Sequence, residues 1–249
     1  MTQRLGVGVV GIGFGQHAHV PAFRSDPRCE VQAIAGRSEE RARIVADRLA
    51  IPLALTDWRA LIEHPKVDIV SIAVPPSFQP KIALAAIQAG KHVFCEKPAA
   101  LDAQAARALL DAARTRGVVH GVDFLFRAVP AFEQARHILL EGRLGRVRHA
   151  VIHWRLETHA YRTGVKDSWK LDPGQGGGTL LNFVSHEIDT LLHWLGPIDE
   201  VAAWLSDDAA RADLWPRLAS GAAVSLSVAP NAFLGSGHGY EIHGDEGTL

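Results

Sequence analysis

Cysteine is scarce in this chain: Cys29 and Cys95 are the two thiols among 249 residues, and they form no CxxC pair. Two isolated thiols exclude a disulfide framework and a zinc knuckle, and they point to a reducing, cytoplasmic setting. Charge of either sign is also missing in excess, with a formal net charge of -1. Near-neutrality gives no electrostatic drive toward nucleic acid or an anionic membrane, and no run of like charges forms a tail. No stretch is long and apolar enough to span a bilayer. Internal repeats are lacking, and low complexity is confined to the glycine-rich 174–178. The 13 histidines include the sets His17, His19 and His149, His153, His159, but none has zinc-site spacing. His19 reads as a polar residue on the first helix, and no metal is expected.

What is present is a chain that is 47% hydrophobic, able to bury a large core and long enough for two domains. The start, from Arg4 through the apolar glycine-containing run to Phe14, imitates a signal peptide. Its glycines follow strand-to-turn logic, however, and no small-x-small cleavage site follows.

From Leu5 the pattern alternates strand and helix. Residues 5–12 form a short apolar run ending in glycines, as a buried parallel strand does. Helical spacing follows over 17–25, a strand over 31–35, helices over 39–49 and Trp58–Glu63, and a strand over 69–74. The alanine-rich helix 81–88 closes at Gly90, a left-handed cap position, and the strand 92–95 comes next. Asp102 is placed to cap the helix Ala103–Arg116, which Gly117 ends, and 118–126 reads as a further strand. Repeated strand–helix units with short connections predict an α/β, doubly wound parallel sheet over 1–122.

After Val122 the rhythm changes. A helix over 130–141, a long strand over 147–157, a glycine-rich loop, a helix over 180–195 and alternating strands over 201–205 and 222–228 predict an α+β domain over 123–249.

The turn Gly11-Ile-Gly13-Phe14-Gly15-Gln16 follows the first strand and opens a helix. Glycines there allow a tight turn and close approach of a pyrophosphate. Gly15 stands one residue ahead of the usual third glycine, where Gln16 falls. After the second strand, where NAD sites carry an acid for the ribose 2′-hydroxyl, the sequence has Arg37 and Ser38. An arginine and a hydroxyl suit a 2′-phosphate, so NADP is the expected cofactor, with NAD use left open. A further feature is Glu96-Lys97-Pro98. It puts a lysine at the carboxyl end of a strand, where doubly wound sheets bind ligands. Beside a dinucleotide, that amine is positioned to polarise a carbonyl or take a proton from an alcohol.

Together the segments 10–15, 68–76, 89–98, 124–130 and 176–189 resemble the Gfo/Idh/MocA oxidoreductase family, whose members include glucose-fructose oxidoreductase and inositol dehydrogenase. The resemblance implies an N-terminal Rossmann domain followed by an α+β domain on an open, mainly antiparallel sheet that commonly mediates homo-oligomers. It implies a small sugar- or polyol-like substrate and no nucleic-acid or membrane partner. Lys97 takes the catalytic lysine position, Glu96 belongs to the same cofactor-side motif, and the Lys97–Pro98 peptide is often cis in relatives. Val74 and Pro75 match the cofactor-side loop after the third sequence-predicted strand, where Gln79 replaces a common histidine, a change expected to alter nicotinamide-side contacts.

The same resemblance makes His186 the residue that binds the substrate hydroxyl and relays its proton with Lys97. Asn182, four residues earlier on the same helix face, orients the substrate or His186; as an amide it accepts no proton. Arg127 and Trp169 match positions around the substrate. Family members usually extend further, so the end at Leu249 is expected to leave a sheet edge unpaired and to favour self-association. A non-catalytic dinucleotide-binding sensor is the alternative reading, drawn from Asn182, Gln79 and the short end.

Overall fold

The computed structural model describes residues 4–163 and 168–249. The chain divides into two compact units, Met1–Asp123 and Phe124–Leu249.

The first unit carries six parallel strands: β1 (Leu5–Val10), β2 (Cys29–Ala35), β3 (Leu53–Leu55), β4 (Ile69–Ile72), β5 (His92–Glu96) and β6 (His120–Asp123). Their order is β3-β2-β1-β4-β5-β6, the doubly wound arrangement in which strand order reverses beside β1. Helices α1 (Phe14–His17), α2 (His19–Ser25), α3 (Glu39–Arg48), α4 (Trp58–Glu63), α5 (Gln79–Gln88) and α6 (Ala103–Arg116) connect them. Two apolar clusters form. Val7, Val9, Val31 and Ile34 pack with Val20 of α2 and Val45 of α3. Val10, Val70, Ile72 and Val93 pack with Leu61 of α4, Ile82 and Ala86 of α5 and Ala113 of α6. Each fully buried valine, leucine or isoleucine stabilises by about 1.5–3 kcal/mol relative to exposure, so covering both sheet faces holds the unit together. The helix ends follow local chemistry: Asp102 accepts a hydrogen bond from Ala105 N at 2.7 Å, and Gly117 terminates α6 at φ +67°, a conformation that suits glycine.

The second unit has α7 (Pro130–Leu140), β7 (Val147–Arg155), α8 (His159–Thr163), α9 (Ser185–Leu195), β8 (Ile198–Leu205), β9 (Ala212–Leu218), β10 (Ala223–Ala229) and β11 (Gly237–Gly244). The sheet runs β11-β7-β10-β9-β8; β7 and β10 are parallel and the other neighbours antiparallel. Ala150, Ile152, Leu214, Leu226 and Ile242 pack with Val184 and with Leu191 of α9.

Several expectations need correction. The strand predicted over 118–126 is limited to β6, because Phe126 joins an aromatic cluster in a 3₁₀ turn, Leu125–Ala128. The helix over 180–195 opens with a π turn, Leu180–Val184, before α9. Strands β3, β9 and β11 were not legible: β3 has three residues, β9 contains Pro216, and β11 contains two glycines in its first three residues. Strand β11 is outermost in its sheet, and beside it Ile242 and Leu249 exchange backbone hydrogen bonds of 2.8 and 2.9 Å.

A buried acid ties α9 to β11. Glu187 is fully buried, Tyr240 donates its hydroxyl proton to Glu187 Oε2 at 2.5 Å, and His238 Nε2 lies 3.1 Å from Oε1. The His238 ring stacks on Trp154, with centroids 4.4 Å apart. Burial, then the Glu187 carboxyl, push the Tyr240 hydroxyl well above its ordinary pKa, so it stays a donor. Tyr240→Phe removes that donor from a buried acid and is expected to cost about 2 kcal/mol of stability; an unchanged urea midpoint and slope would exclude the assigned role.

Candidate active site

In the first unit, the carboxyl ends of β1, β2, β4 and β5 carry the predicted cofactor residues. The glycine turn leaves β1 with Gly11 at φ +118°, and a Cβ built there would lie 2.2 Å from the Ala73 carbonyl oxygen. Only a residue without a Cβ passes so close to the end of β4. Gly15 is buried, and its Cβ would lie 2.9 Å from Val9 Cγ1, so it fills the helix–strand packing role of the third fingerprint glycine one residue early. Gly13 is different: no atom lies within 4 Å of its would-be Cβ, and Phe14 beside it is exposed. Open space over a glycine backbone fits a dinucleotide pyrophosphate. Gln16 donates to the Ile12 carbonyl and accepts from Arg48, and so braces the turn against α3.

Arg37 lies exposed just beyond β2. Ser38 caps α3, its Oγ accepting from Arg41 N at 3.3 Å, which leaves the hydroxyl proton able to donate elsewhere. Val74 and Pro75 follow β4, with Val74 packed on the core. Gln79 is fully buried, and Cys95 Sγ donates to its Oε1 at 2.5 Å. Burial, with a smaller contribution from Glu96, pushes the Cys95 thiol up to about 12, which removes it as a nucleophile.

Glu96 ends β5, and half-buried Lys97 follows at once, with a cis peptide to Pro98. His19, read from sequence as a polar residue on the first helix, is buried. Its Nδ1 lies 2.6 Å from Ser71 Oγ and its Nε2 3.0 Å from Glu96 Oε1. Asp123, at the end of β6, is the strand partner of Glu96 and lies 3.9 Å from the same Nε2. Burial and the Glu96 carboxyl raise the Asp123 carboxyl above its ordinary pKa, while His19 and Lys97 oppose them. Neither His19 nor Asp123 was singled out as a site residue. The available signal was an acid closing each of two neighbouring strands; the histidine contact had no local sign.

In the second unit, Asn182 lies in the π turn and His186 one turn later at the start of α9, buried. Such π turns occur frequently at functional sites. The His186 ring contacts Phe126 at 4.9 Å and Phe124 at 6.0 Å between centroids. Arg127, expected beside substrate, has its guanidinium on Asp189, with Nε and Nη2 donating at 2.8 and 2.7 Å. This bidentate pair fastens the 3₁₀ turn to α9. Trp169 is half-buried in a separate 3₁₀ turn, and Gly177 packs against its carbonyl, where a Cβ would approach to 2.2 Å.

Comparison with known proteins places this geometry. A model of the oxidoreductase family with an NAD-binding Rossmann fold matches residues 5–124, and one of the GFO/IDH/MocA C-terminal domain matches residues 132–249. The chain is 33% identical over 269 residues to an uncharacterized oxidoreductase of Synechocystis sp., covering 100% of this chain and 71% of that protein. It is 32% identical over 203 residues to D-xylose 1-dehydrogenase (NADP(+)) 2 of Haloferax volcanii, covering 80% of this chain and 60% of that protein. Its structure resembles that of levoglucosan dehydrogenase in complex with NADH and L-sorbose, at a TM-score of 0.92 and 30% identity over 99% of this chain and 72% of that one. With both units matched, the chain belongs to the Gfo/Idh/MocA oxidoreductase family.

Proposed function

We propose that the protein transfers a hydride between a nicotinamide dinucleotide and a secondary alcohol or carbonyl carbon of a sugar, polyol or related small molecule. The observation that carries this reading is Lys97, set directly after β5 at the sheet edge from which the glycine turn also emerges. Sugar-active relatives support the substrate class. The bound dinucleotide supplies the hydride acceptor or donor. Lys97 Nζ takes the hydroxyl proton in oxidation and returns it to the incipient alkoxide in reduction. His186 binds the substrate hydroxyl through its imidazole, and Asn182 orients the substrate or that ring. Arg127 contributes by fixing the turn that carries Phe124 and Phe126 near His186, and Trp169 is assigned to the substrate side.

For the cofactor we favour NADP. Arg37 and Ser38 stand where an acid would select the ribose 2′-hydroxyl, and Arg37 is exposed and able to meet a phosphate. Relatives use both forms, one named for NADP(+) and one bound to NADH. Homo-oligomerisation is also proposed, through the outer face of β8 and β9, where Trp204 and Trp215 are 50% and 52% exposed. They share that face with the Glu200–Arg217 ion pair.

Three outcomes are expected. Arg37→Asp weakens NADPH binding by about tenfold to a hundredfold, the equivalent of one or two charge-assisted contacts, and leaves NADH binding nearly unchanged in fluorescence titrations. Equal affinities before and after would remove the NADP assignment. On a sugar and polyol panel followed at the nicotinamide absorbance band, Lys97→Ala lowers turnover by at least about 100-fold while NADPH still binds. Full activity in that variant would take Lys97 out of the chemistry, and binding with no turnover by the parent protein would favour the sensor reading. In light scattering the protein is larger than a monomer, and Trp204→Lys with Trp215→Lys dissociates it; a monomer at every concentration would rule out self-association.

A further inference from the structure

Gly36 is the first residue beyond β2, the place from which a dinucleotide-binding sheet usually aims an acid at the ribose 2′-hydroxyl. Its backbone does not demand glycine, since its φ lies outside the left-handed region that Gly90 and Gly117 occupy. What demands glycine is a neighbour. A Cβ built on Gly36 would lie 2.8 Å from Ile12 Cγ2, 2.9 Å from Cδ1 and 3.0 Å from Cγ1. Carbon atoms pack best at about 3.5–4.0 Å, so the added atom collides along the whole isoleucine side chain. Ile12 is the middle residue of Gly11-Ile12-Gly13, and a side chain at position 36 therefore starts out aimed at the glycine turn. Ile12 is poorly placed to swing aside. Its branched Cβ restricts χ1, and it packs on the cluster of Val7, Val9 and Ile34. Its carbonyl accepts from Gln16, which Arg48 of α3 holds in turn. Both backbones are fixed at the sheet edge, with Gly11 N donating to Ala35 O at 2.9 Å and Gly36 N to Leu55 O at 3.0 Å. Arg37, one residue on, is exposed.

We propose that Ile12, seated on Gly36, is a specificity-determining residue. It fills the space that a ribose-binding carboxylate at position 36 needs, and so leaves recognition of the 2′ position to Arg37. An acid at position 36 would attract the ribose hydroxyls of NAD and repel a 2′-phosphate. Ile12 excludes that acid by packing, not by charge. Conversion to NAD therefore takes two changes at once: Gly36→Asp supplies the acid and Ile12→Ala supplies the room. The consequence for cofactor choice rests on the NADP reading given above. The steric coupling of residues 12 and 36 does not, and it is measured without any cofactor.

The test is a pair of double-mutant cycles on the full chain. The first joins Gly36→Ala with Ile12→Ala and reads urea midpoints. Without a collision, alanine for glycine at such a backbone position stabilises by restricting the unfolded chain. Gly36→Ala is instead expected to lower the midpoint when Ile12 is present, and to leave it unchanged or raise it once Ile12 is alanine. The second cycle joins Gly36→Asp with Ile12→Ala and reads NADH and NADPH binding by fluorescence titration. Gly36→Asp alone leaves NADH binding no tighter than in the parent. The double variant binds NADH about tenfold more tightly than Ile12→Ala does, the equivalent of one charge-assisted hydrogen bond. Should Gly36→Asp fold too poorly to titrate, the alanine cycle still decides, because it probes the same Cβ without a charge. The same change in midpoint from Gly36→Ala in both backgrounds would overturn the proposal. So would tighter NADH binding from Gly36→Asp alone. A parent protein with no preference for NADPH over NADH would remove the NADP reading, while the coupling read from the alanine cycle would stand.

Discussion

The position of β1 between β2 and β4 governs the first unit. The chain winds outward from β1 to one side through β2 and β3, then to the other through β4, β5 and β6. Right-handed crossovers put the two sets of helices on opposite faces. At the reversal no connection closes over the carboxyl ends of β1 and β4, so that edge stays open for a ligand. The glycine turn meets this constraint from one side, with Gly11 pressed against the Ala73 carbonyl, and Glu96 and Lys97 emerge at the same edge two strands along. A bulkier residue at Gly11 would collide with backbone, which has nowhere to move without disturbing the β1–β4 pairing.

Both units bury acids beside histidines, to different ends. Glu187 is sealed in the second unit beneath Tyr240 and His238, where its donors offset the cost of removing a carboxyl from water. Its effect is to fix α9, the helix that also presents His186, Asp189 and, through the preceding turn, Asn182. Glu96 and Asp123 are only partly shielded, at the carboxyl ends of neighbouring strands. An acid at a strand end with some water access can exchange its proton, whereas one sealed in a core chiefly holds neighbours in place.

Much of this organisation was legible before any coordinates. The runs of β1, β2 and β4 are largely buried and read as mainly hydrophobic stretches, interrupted by Gln32 in β2 and Ser71 in β4. Ala103–Arg116 carried its own end signals, Asp102 and Gly117. The strands that escaped detection lack those signals: β9 places Pro216 and Arg217 within it, and β11 carries Gly237, Gly239 and polar residues. Their pairing comes from β7, β8 and β10, not from local preference. For the site, Lys97, His186 and the glycine turn stood out because each lies in a compact motif. The contact of buried Gln79 with Cys95 had no local sign, because it depends on the packing of α5 over the sheet.

The order of residues alone determined the strand–helix alternation, the glycine turn, the acid–lysine–proline step and the asparagine–histidine spacing. All of these are local: they depend on backbone geometry and side-chain period over a few positions. Only the tertiary structure decided that His19 meets Glu96, 77 positions away, that Arg127 forks onto Asp189, 62 away, and that Tyr240 reaches Glu187, 53 away. Those meetings depend on strand register and helix packing, which are set by the burial of the whole core and by no single stretch of the chain.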